Sequence, residues 1–354
     1  MMSLKTFATI TAGATLAVLM ACGGGGGGSK SSPTVYVAGR CNYIEYNNDN
    51  AGWVHGATQW INGSRIILDT RPDESGGEPA DHAFARSIFV SGNDVYVAGN
   101  TGLWKNGVKQ TISNPGEYTS VCASGNSVYL VGTYTTSGRT RAAMWKDGIR
   151  TELTTEEPNI DSYADSVHVS GNDVYVAGYV GGGNTRAVLW INGIYSQVGD
   201  YGTTGSSVFV SDSKVYVAGM HNTGGRSRAT LWTDGVQQYL NNEPSNGGSA
   251  ANSVYVSAGK VHVAGTETWR EQNTSKTRAR LWIDGISQDL EYASDGSAAN
   301  SVYVSGDDVY VAGSESAPNY QNAAYWKNGK MFRLTRNWTA SYSMGADAFS
   351  IFIK

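Results

Sequence analysis

The sequence predicts an all-β fold: a seven-bladed β-propeller with four antiparallel strands per blade. Three observations carry this reading. A tryptophan recurs at Trp60, Trp104, Trp145, Trp190, Trp232, Trp282 and Trp326, each with a glycine three residues on, from Gly63 to Gly329. Ahead of each tryptophan stands a Val-Tyr-Val-Ala-Gly run or a close variant, as at Val95–Gly99. The first unit lacks its opening strand, and the last residues of the chain supply one. A repeat of roughly 40 to 50 residues with short strands and turn glycines marks an array built blade by blade.

Taken from the N-terminus, residues 1–21 read as an export signal. Lys5 precedes an apolar stretch from Phe7 to Met20, too short for the roughly 20 residues a membrane span needs. Leu19-Met20-Ala21-Cys22 resembles the bacterial lipobox, which implies that Cys22 is lipidated and becomes the first residue of a lipoprotein; the alternative is an ordinary signal peptide cleaved near Ala21, leaving Cys22 as a free thiol. Residues 22–33 form a Gly/Ser-rich tether, whose ten residues from Gly23 to Ser32 would reach about 18 Å. Residues 34–354 are the propeller. Removal of Lys5 leaves 25 basic against 30 acidic groups, a formal charge of −5. A nucleic-acid partner is disfavoured, since it needs a basic surface. Cys41 and Cys122 sit in different, non-adjacent repeats and do not form a disulfide framework.

Each blade begins with a hairpin of strands A and B. In Ser87-Ile88-Phe89-Val90, Ser91-Gly92-Asn93-Asp94, Val95-Tyr96-Val97-Ala98-Gly99, alternation flanks a Gly-Asn turn. With that turn, Val90 faces Val95 and Phe89 faces Tyr96. The same offset pairs Cys122 with Tyr129, His168 with Tyr175, Phe209 with Tyr216, Tyr255 with His262 and Tyr303 with Tyr310. Strands C and D form the second hairpin through the Asn-Gly or Asp-Gly turn that follows each tryptophan. The seven tryptophans themselves read as core between neighbouring sheets. Ser350-Ile351-Phe352-Ile353 matches strand A, so it completes blade 1, sets Phe352 opposite Tyr36, and removes the exposed edges of an open array.

In this topology the A–B and C–D turns share one face of the disc, and they are short. The B–C and D–A connections share the other. The glycine-to-tryptophan gap runs from 5 positions in blade 2 to 13, 17 and 21 in blades 3, 6 and 1, so all the length variation is on this second, variable face. Variable segments on a rigid scaffold are where binding usually lives. Trp53, Trp269 and Trp338 stand outside the repeat and map to that face, with Tyr43, Tyr46, Tyr320 and Tyr342 in the same sector. Such rings suit a sugar, a peptide or a protein partner, or else pack under their own loops. A second sector is basic. Arg141, Arg186, Arg228 and Arg278 each sit four residues before a blade tryptophan, near Arg139, Arg226, Arg270 and Arg280. They could hold a carboxylate or sulfate, or pair with loop acids such as Glu156, Glu157 and Asp161.

No catalytic residue is assigned. The sequence has no serine elbow, His-Glu-x-x-His, Cys-x-x-Cys or phosphate-binding glycine loop, so neither a metal nor a cofactor is expected. His168 and His262 replace aromatic residues of other blades; His55, His82 and His221 read as loop residues without a common centre. The acids Asp73, Glu74, Glu78 and Asp81 fit no calcium-loop spacing.

At the level of Val-x-Val-x-Gly and Ala-x-Leu-Trp-x-x-Gly, the body resembles bacterial extracellular-repeat propellers, including the group with a His-Ala-Phe signature. It departs from that group at Arg186-Ala187-Val188, where His-Ala-Phe would stand. In organisation it is similar to the propeller lipoprotein of the outer-membrane barrel-assembly machinery. The resemblance implies fold and export, not an activity. The expectation is a monomeric, non-enzymatic binding scaffold, lipid-anchored in the bacterial cell envelope, at the outer membrane, with an envelope or extracellular protein or a glycan as partner. The alternative is a lyase or hydrolase acting on extracellular polysaccharide, its acids drawn from separate blades.

Overall fold

The computed structural model describes residues 32–47, 50–72, 82–157, 159–240, 247–271, 274–292, 296–317, 320–335 and 345–354. Cys22, Trp338, Tyr342 and the acids 73–81 lie outside them, and for Tyr43, Tyr46, Trp53 and Tyr320 only the backbone is described. Twenty-eight strands form seven four-stranded antiparallel sheets, and among the described residues there is no helix. Blade 2 is typical: A is Ala85–Ser91, B Asp94–Gly99, C Gly102–Lys105 and D Val108–Gln110. Blade 1 is sewn from both ends, with strand A at Ala346–Ile353 beside B at Val35–Asn47, then C at Asn50–Ile61 and D at Ser64–Pro72.

The predicted registers hold. Phe352 faces Tyr36, and Phe89, Cys122, His168, Phe209, Tyr255 and Tyr303 face the seven-offset partners read from the sequence. Two backbone hydrogen bonds, from Thr34 N to Lys354 O and from Lys354 N to Thr34 O, seal the closure.

Each repeated residue has a distinct physical task. The seven tryptophans are at most 1% exposed. Each packs into a cluster shared with the preceding blade: Trp190 against Val131, Ala142 and Leu153 of blade 3, and Trp60 across the closure against Tyr310, Ala312 and Ala323 of blade 7. In each C–D turn the Asn or Asp takes φ of 48–53° and the glycine 79–82°, the pair of positive φ values that matches strand twist. That side chain also accepts the N–H of the first strand B valine at 2.8–2.9 Å, from Asn62 with Val35 to Asn328 with Val309. One residue thus makes the turn and ties the second hairpin to the first.

Strand A carries a bulge in every blade, one residue before a serine. The bulged residues are Arg86, Thr119, Asp165, Ser206, Asn252, Asn300 and Phe349. The bulge explains the last glycine of the Val-Tyr-Val-Ala-Gly run, because a Cβ there would collide with the strand A carbonyl opposite, as at Gly178 with Tyr163 O. The serines after the bulges close a ring of their own. Ser87, Ser120, Ser166, Ser207, Ser253, Ser301 and Ser350 each accept a backbone N–H from strand A of the next blade at 3.1–3.4 Å.

One expectation changes. The long B–C segments of blades 1 and 6 are not loops but continuations of the hairpin. In blade 1 the pairing runs out to Asn47 with Asn50 and sets Ile44 opposite Trp53; in blade 6 it runs to Glu271 with Thr274 and sets Trp269 opposite Lys276. The physical reason is that each added residue finds a backbone partner on the opposite strand, which a free loop would leave to water.

Candidate functional site

The residue two places after each ring serine lines the axis. Phe352, Tyr303, Tyr255, Phe209 and His168 meet in sequence around it, and Phe89 meets Phe352 on the other side, with centroids 4.5–5.2 Å apart. Cys122 holds the remaining position. Because strand A is innermost, these contacts form a collar across the channel, close to the short-turn face. Burial lowers the His168 pKa to about 4 and raises that of the Cys122 thiol to about 11, so the collar carries no charge at neutral pH. The sequence reading assigned these side chains to pairing within the sheet; their second role is to narrow the channel.

The bulged residues form the next layer toward the variable face. Thr119, Asn252 and Asn300 donate to carbonyls of the following blade, at Ala164, Ala299 and Ala348, over 2.6–2.9 Å. Beyond them lies a mouth with charged and aromatic groups. The Arg40 and Arg86 guanidiniums each lie 5.3 Å from the centre of the Phe84 ring, which meets Phe349 edge-on at 6.1 Å. Arg40 Nε donates to buried Asp347 at 2.6 Å. Across the mouth Tyr163 stacks on Tyr179 at 4.6 Å.

Asp165 is the acid of the bulge layer. Desolvation raises its pKa to about 7, against the opposing pull of the Arg86 charge, and Asp165 in turn helps burial to raise Tyr179 to about 12. The folded pKa lies above the unfolded value of about 3.9. Folding therefore takes up a proton between these values, and the stability this lends is full below about pH 4 and lost as pH rises through about 7. The Asp165→Asn variant is expected to lack this loss, with a gain over the parent of up to about 4 kcal/mol at pH 8 and little at pH 4. Urea unfolding at pH 4, 6 and 8 measures it; parallel pH profiles for the two chains would contradict the assignment.

The predicted arginines each have a partner at home. Arg141 donates to Ile160 O at 2.8 Å, Arg186 pairs with Glu157 at 2.5 Å, and Arg228 lies 4.4 Å over Tyr239. Arg278 and Arg280 both bind Glu267, at 2.8 and 2.7 Å, and Arg278 lies 5.2 Å over Trp269. Trp269 is thus held within its own hairpin. The strand register places Tyr43 and Tyr46 opposite Val54 and Ala51 in the blade 1 hairpin, and Tyr320 opposite Ala317 at the tip of the blade 7 hairpin.

Sequence reasoning missed the mouth residues Phe84, Arg86, Asp165, Tyr179 and Phe349. For Arg86, Asp165 and Phe349 the available signal was a variable residue directly before an otherwise constant serine; Phe84 and Tyr179 carried no such mark. It also missed that His55 lies in strand C and stacks on His82 with centroids 3.4 Å apart, while its Nδ1 donates to Asn42 Oδ1 over 3.0 Å. Cys41 and Cys122 are buried free thiols. Among the described residues no group of three or more His, Cys, Asp or Glu is placed to hold a metal ion.

Seven closed, antiparallel four-stranded sheets define the class: the chain is a seven-bladed β-propeller. No known protein family and no curated protein matches it. Its likeness is to solved structures. YjhT is 13% identical over 70% of this chain and 96% of its own, with a TM-score of 0.45. YCF48 bound to a D1 peptide is 13% identical over 88% and 98%, with a TM-score of 0.46. A Trypanosoma rangeli sialidase in complex with sialic acid is 11% identical over 88% of this chain and 54% of its own, with a TM-score of 0.36.

Proposed function

We propose that this protein is an exported, lipid-anchored binding scaffold of the bacterial cell envelope, at the outer membrane, and that it binds an envelope or extracellular protein or a glycan at its variable face without transforming it. Cys22 carries the lipid in this reading. The observation that supports it is the asymmetry of the channel. The collar of Phe89, Cys122, His168, Phe209, Tyr255, Tyr303 and Phe352 narrows one end. The other end opens among Phe84, Phe349, Arg40, Arg86, Tyr163 and Tyr179, a mixture of rings and charge suited to a sugar ring or a peptide.

A screen of the mature chain against envelope proteins and a glycan array tests this. Binding of one class of partner is expected, with a loss of tenfold or more in the Phe84→Ser, Arg86→Ala pair, and with Trp53→Ala, Trp269→Ala and Trp338→Ala reporting on the outer sector. Binding unchanged in every one of these variants would reject the variable face. One observation favours the second reading, a polysaccharide lyase or hydrolase: Asp165, with its pKa near 7, has the proton affinity of a general acid or base. Turnover of an extracellular polysaccharide that disappears in Asp165→Asn would replace the scaffold reading by that one.

A further inference from the structure

The short-turn face carries an unusual set of side chains. Val108, Ile149, Ile194, Val236 and Ile286 are 65–74% exposed, and each is the first residue of strand D, directly after the C–D turn glycine. They belong to five consecutive blades, 2 to 6. In blades 7 and 1 the same position holds Lys330 and Ser64. Equivalent positions in the blades of a ring lie at one height along its axis. Five apolar side chains therefore project from the rim in a common plane.

The chain enters the propeller on this same face. Strand B of blade 1 starts at Val35, at the A–B end of the blade, and Thr34 is held there by its two bonds to Lys354. Between Thr34 and Cys22 lie eleven residues, 23–33, mostly glycine and serine. On the lipid-anchor reading, the anchored end of the chain therefore leads into the propeller on the short-turn side of blade 1.

We propose that the short-turn face docks on the lipid bilayer, with Val108, Ile149, Ile194, Val236 and Ile286 entering its interfacial zone and the channel mouth turned away from the membrane. The proposal rests on the lipid-anchor reading for its orientation. The chemistry favours a bilayer over a folded partner. The five side chains are spaced one per blade, so they form no continuous apolar core of the kind a protein interface buries, whereas a planar array of separate apolar side chains suits a plane of lipid. Nor is the face basic. Lys105 and Lys327 are paired with Asp94 and Asp308, and Lys146, Lys214, Lys260, Lys330 and Lys354 are offset by Asp147, Asp173, Asp212, Asp234, Asp284 and Asp307 at the turns. Attraction to anionic headgroups is not the driving force; burial of apolar surface is.

The test uses residues 22–354, which contain every described strand. Since Cys41 and Cys122 are buried, Cys22 is coupled to a maleimide phospholipid in phosphatidylcholine vesicles, and amide hydrogen exchange is compared with that of the uncoupled chain. Protection on the vesicle confined to the C–D turns of blades 2 to 6 is the expected result. Protection on the variable face, or none, would overturn the proposal. In a second arm the Cys22→Ser chain is sedimented with the same vesicles. Its partition is expected to fall about tenfold when Ile149, Ile194 and Val236 are changed to Ser, with an unchanged thermal midpoint. Partition that is unaffected by these changes, or that rises steeply with anionic lipid, would sink the apolar mechanism. Protection of the same turns without vesicles, together with a dimer mass, would assign the face to a second copy instead. The coupling is chemical, so the docking result stands apart from the anchor itself, which mass spectrometry of Cys22 in protein extracted from the native membrane decides.

Discussion

A chain ending at residue 345 is expected to lose cooperative folding. The deleted segment, 346–354, is strand A of blade 1, the innermost strand of its sheet. Its Ala346, Ala348, Ile351 and Ile353 belong to the buried cluster that holds Trp60 between blades 1 and 7. Truncating a buried isoleucine costs about 2–5 kcal/mol, and two are removed here. The loss also opens the serine ring at two places, since Ser350 serves Ile88 and Ile351 donates to Ser301. The edge of Val35–Asn47 and the face of blade 7 are left bare, and the collar loses Phe352, which bridges Tyr303 and Phe89. Set against a total stability of about 5–15 kcal/mol, these losses exceed what a closed single domain can absorb. Urea titration followed by circular dichroism and gel filtration measures the effect: the shortened chain should aggregate or unfold over a broad, early transition. A sharp transition at the parent's midpoint would mean that the six complete blades are stable without closure.

How much of this architecture could be read from the chain depends on where the cause of each residue lies. Blade number, strand pairing and closure were legible because they rest on local rules: a two-residue turn, an alternating pattern, a tryptophan at constant phase. The bulge in strand A was not. It is marked only by one extra residue before the serine, and its consequence falls on a glycine more than a dozen positions away, as with Tyr163 and Gly178. The candidate site was legible as a face and not as a set of residues. Trp269 drew attention because it breaks the repeat, yet Arg278 covers its ring within the same hairpin. Asp165 and Arg86 did not, since each occupies a position held by six residue types over seven blades and so looks unconstrained. Neither the channel nor the proximity of blades 2 and 4 across it exists until the ring is closed.

The two glycines of the repeat separate steric from conformational cost, and Gly178→Ala should be the harsher substitution. Gly178 ends the Val174-Tyr175-Val176-Ala177-Gly178 run in strand B, outside the left-handed region. A methyl group there would lie far inside van der Waals contact with Tyr163 O and close to the Cα of Ala164. Both are backbone atoms of the strand A bulge, and that bulge also sets Ser166 for its bond to Val208 N. Relief requires moving strand A, and with it the ring contact to blade 5, at a cost of about 3–5 kcal/mol by analogy with forced repacking of a close-packed core. Gly193 follows Trp190 and Asn192 in the C–D turn. Its φ is +81°, and a methyl group there would meet nothing within 4 Å. Gly193→Ala pays only for holding an alanine in the left-handed region, about 1–2 kcal/mol. Denaturant midpoints of the two single variants, measured at one pH with equal slopes, compare the two costs directly. A Gly193→Ala midpoint at or below that of Gly178→Ala would show that the strand A bulge yields readily, and that the glycine of Val-Tyr-Val-Ala-Gly answers to something other than the carbonyl it faces.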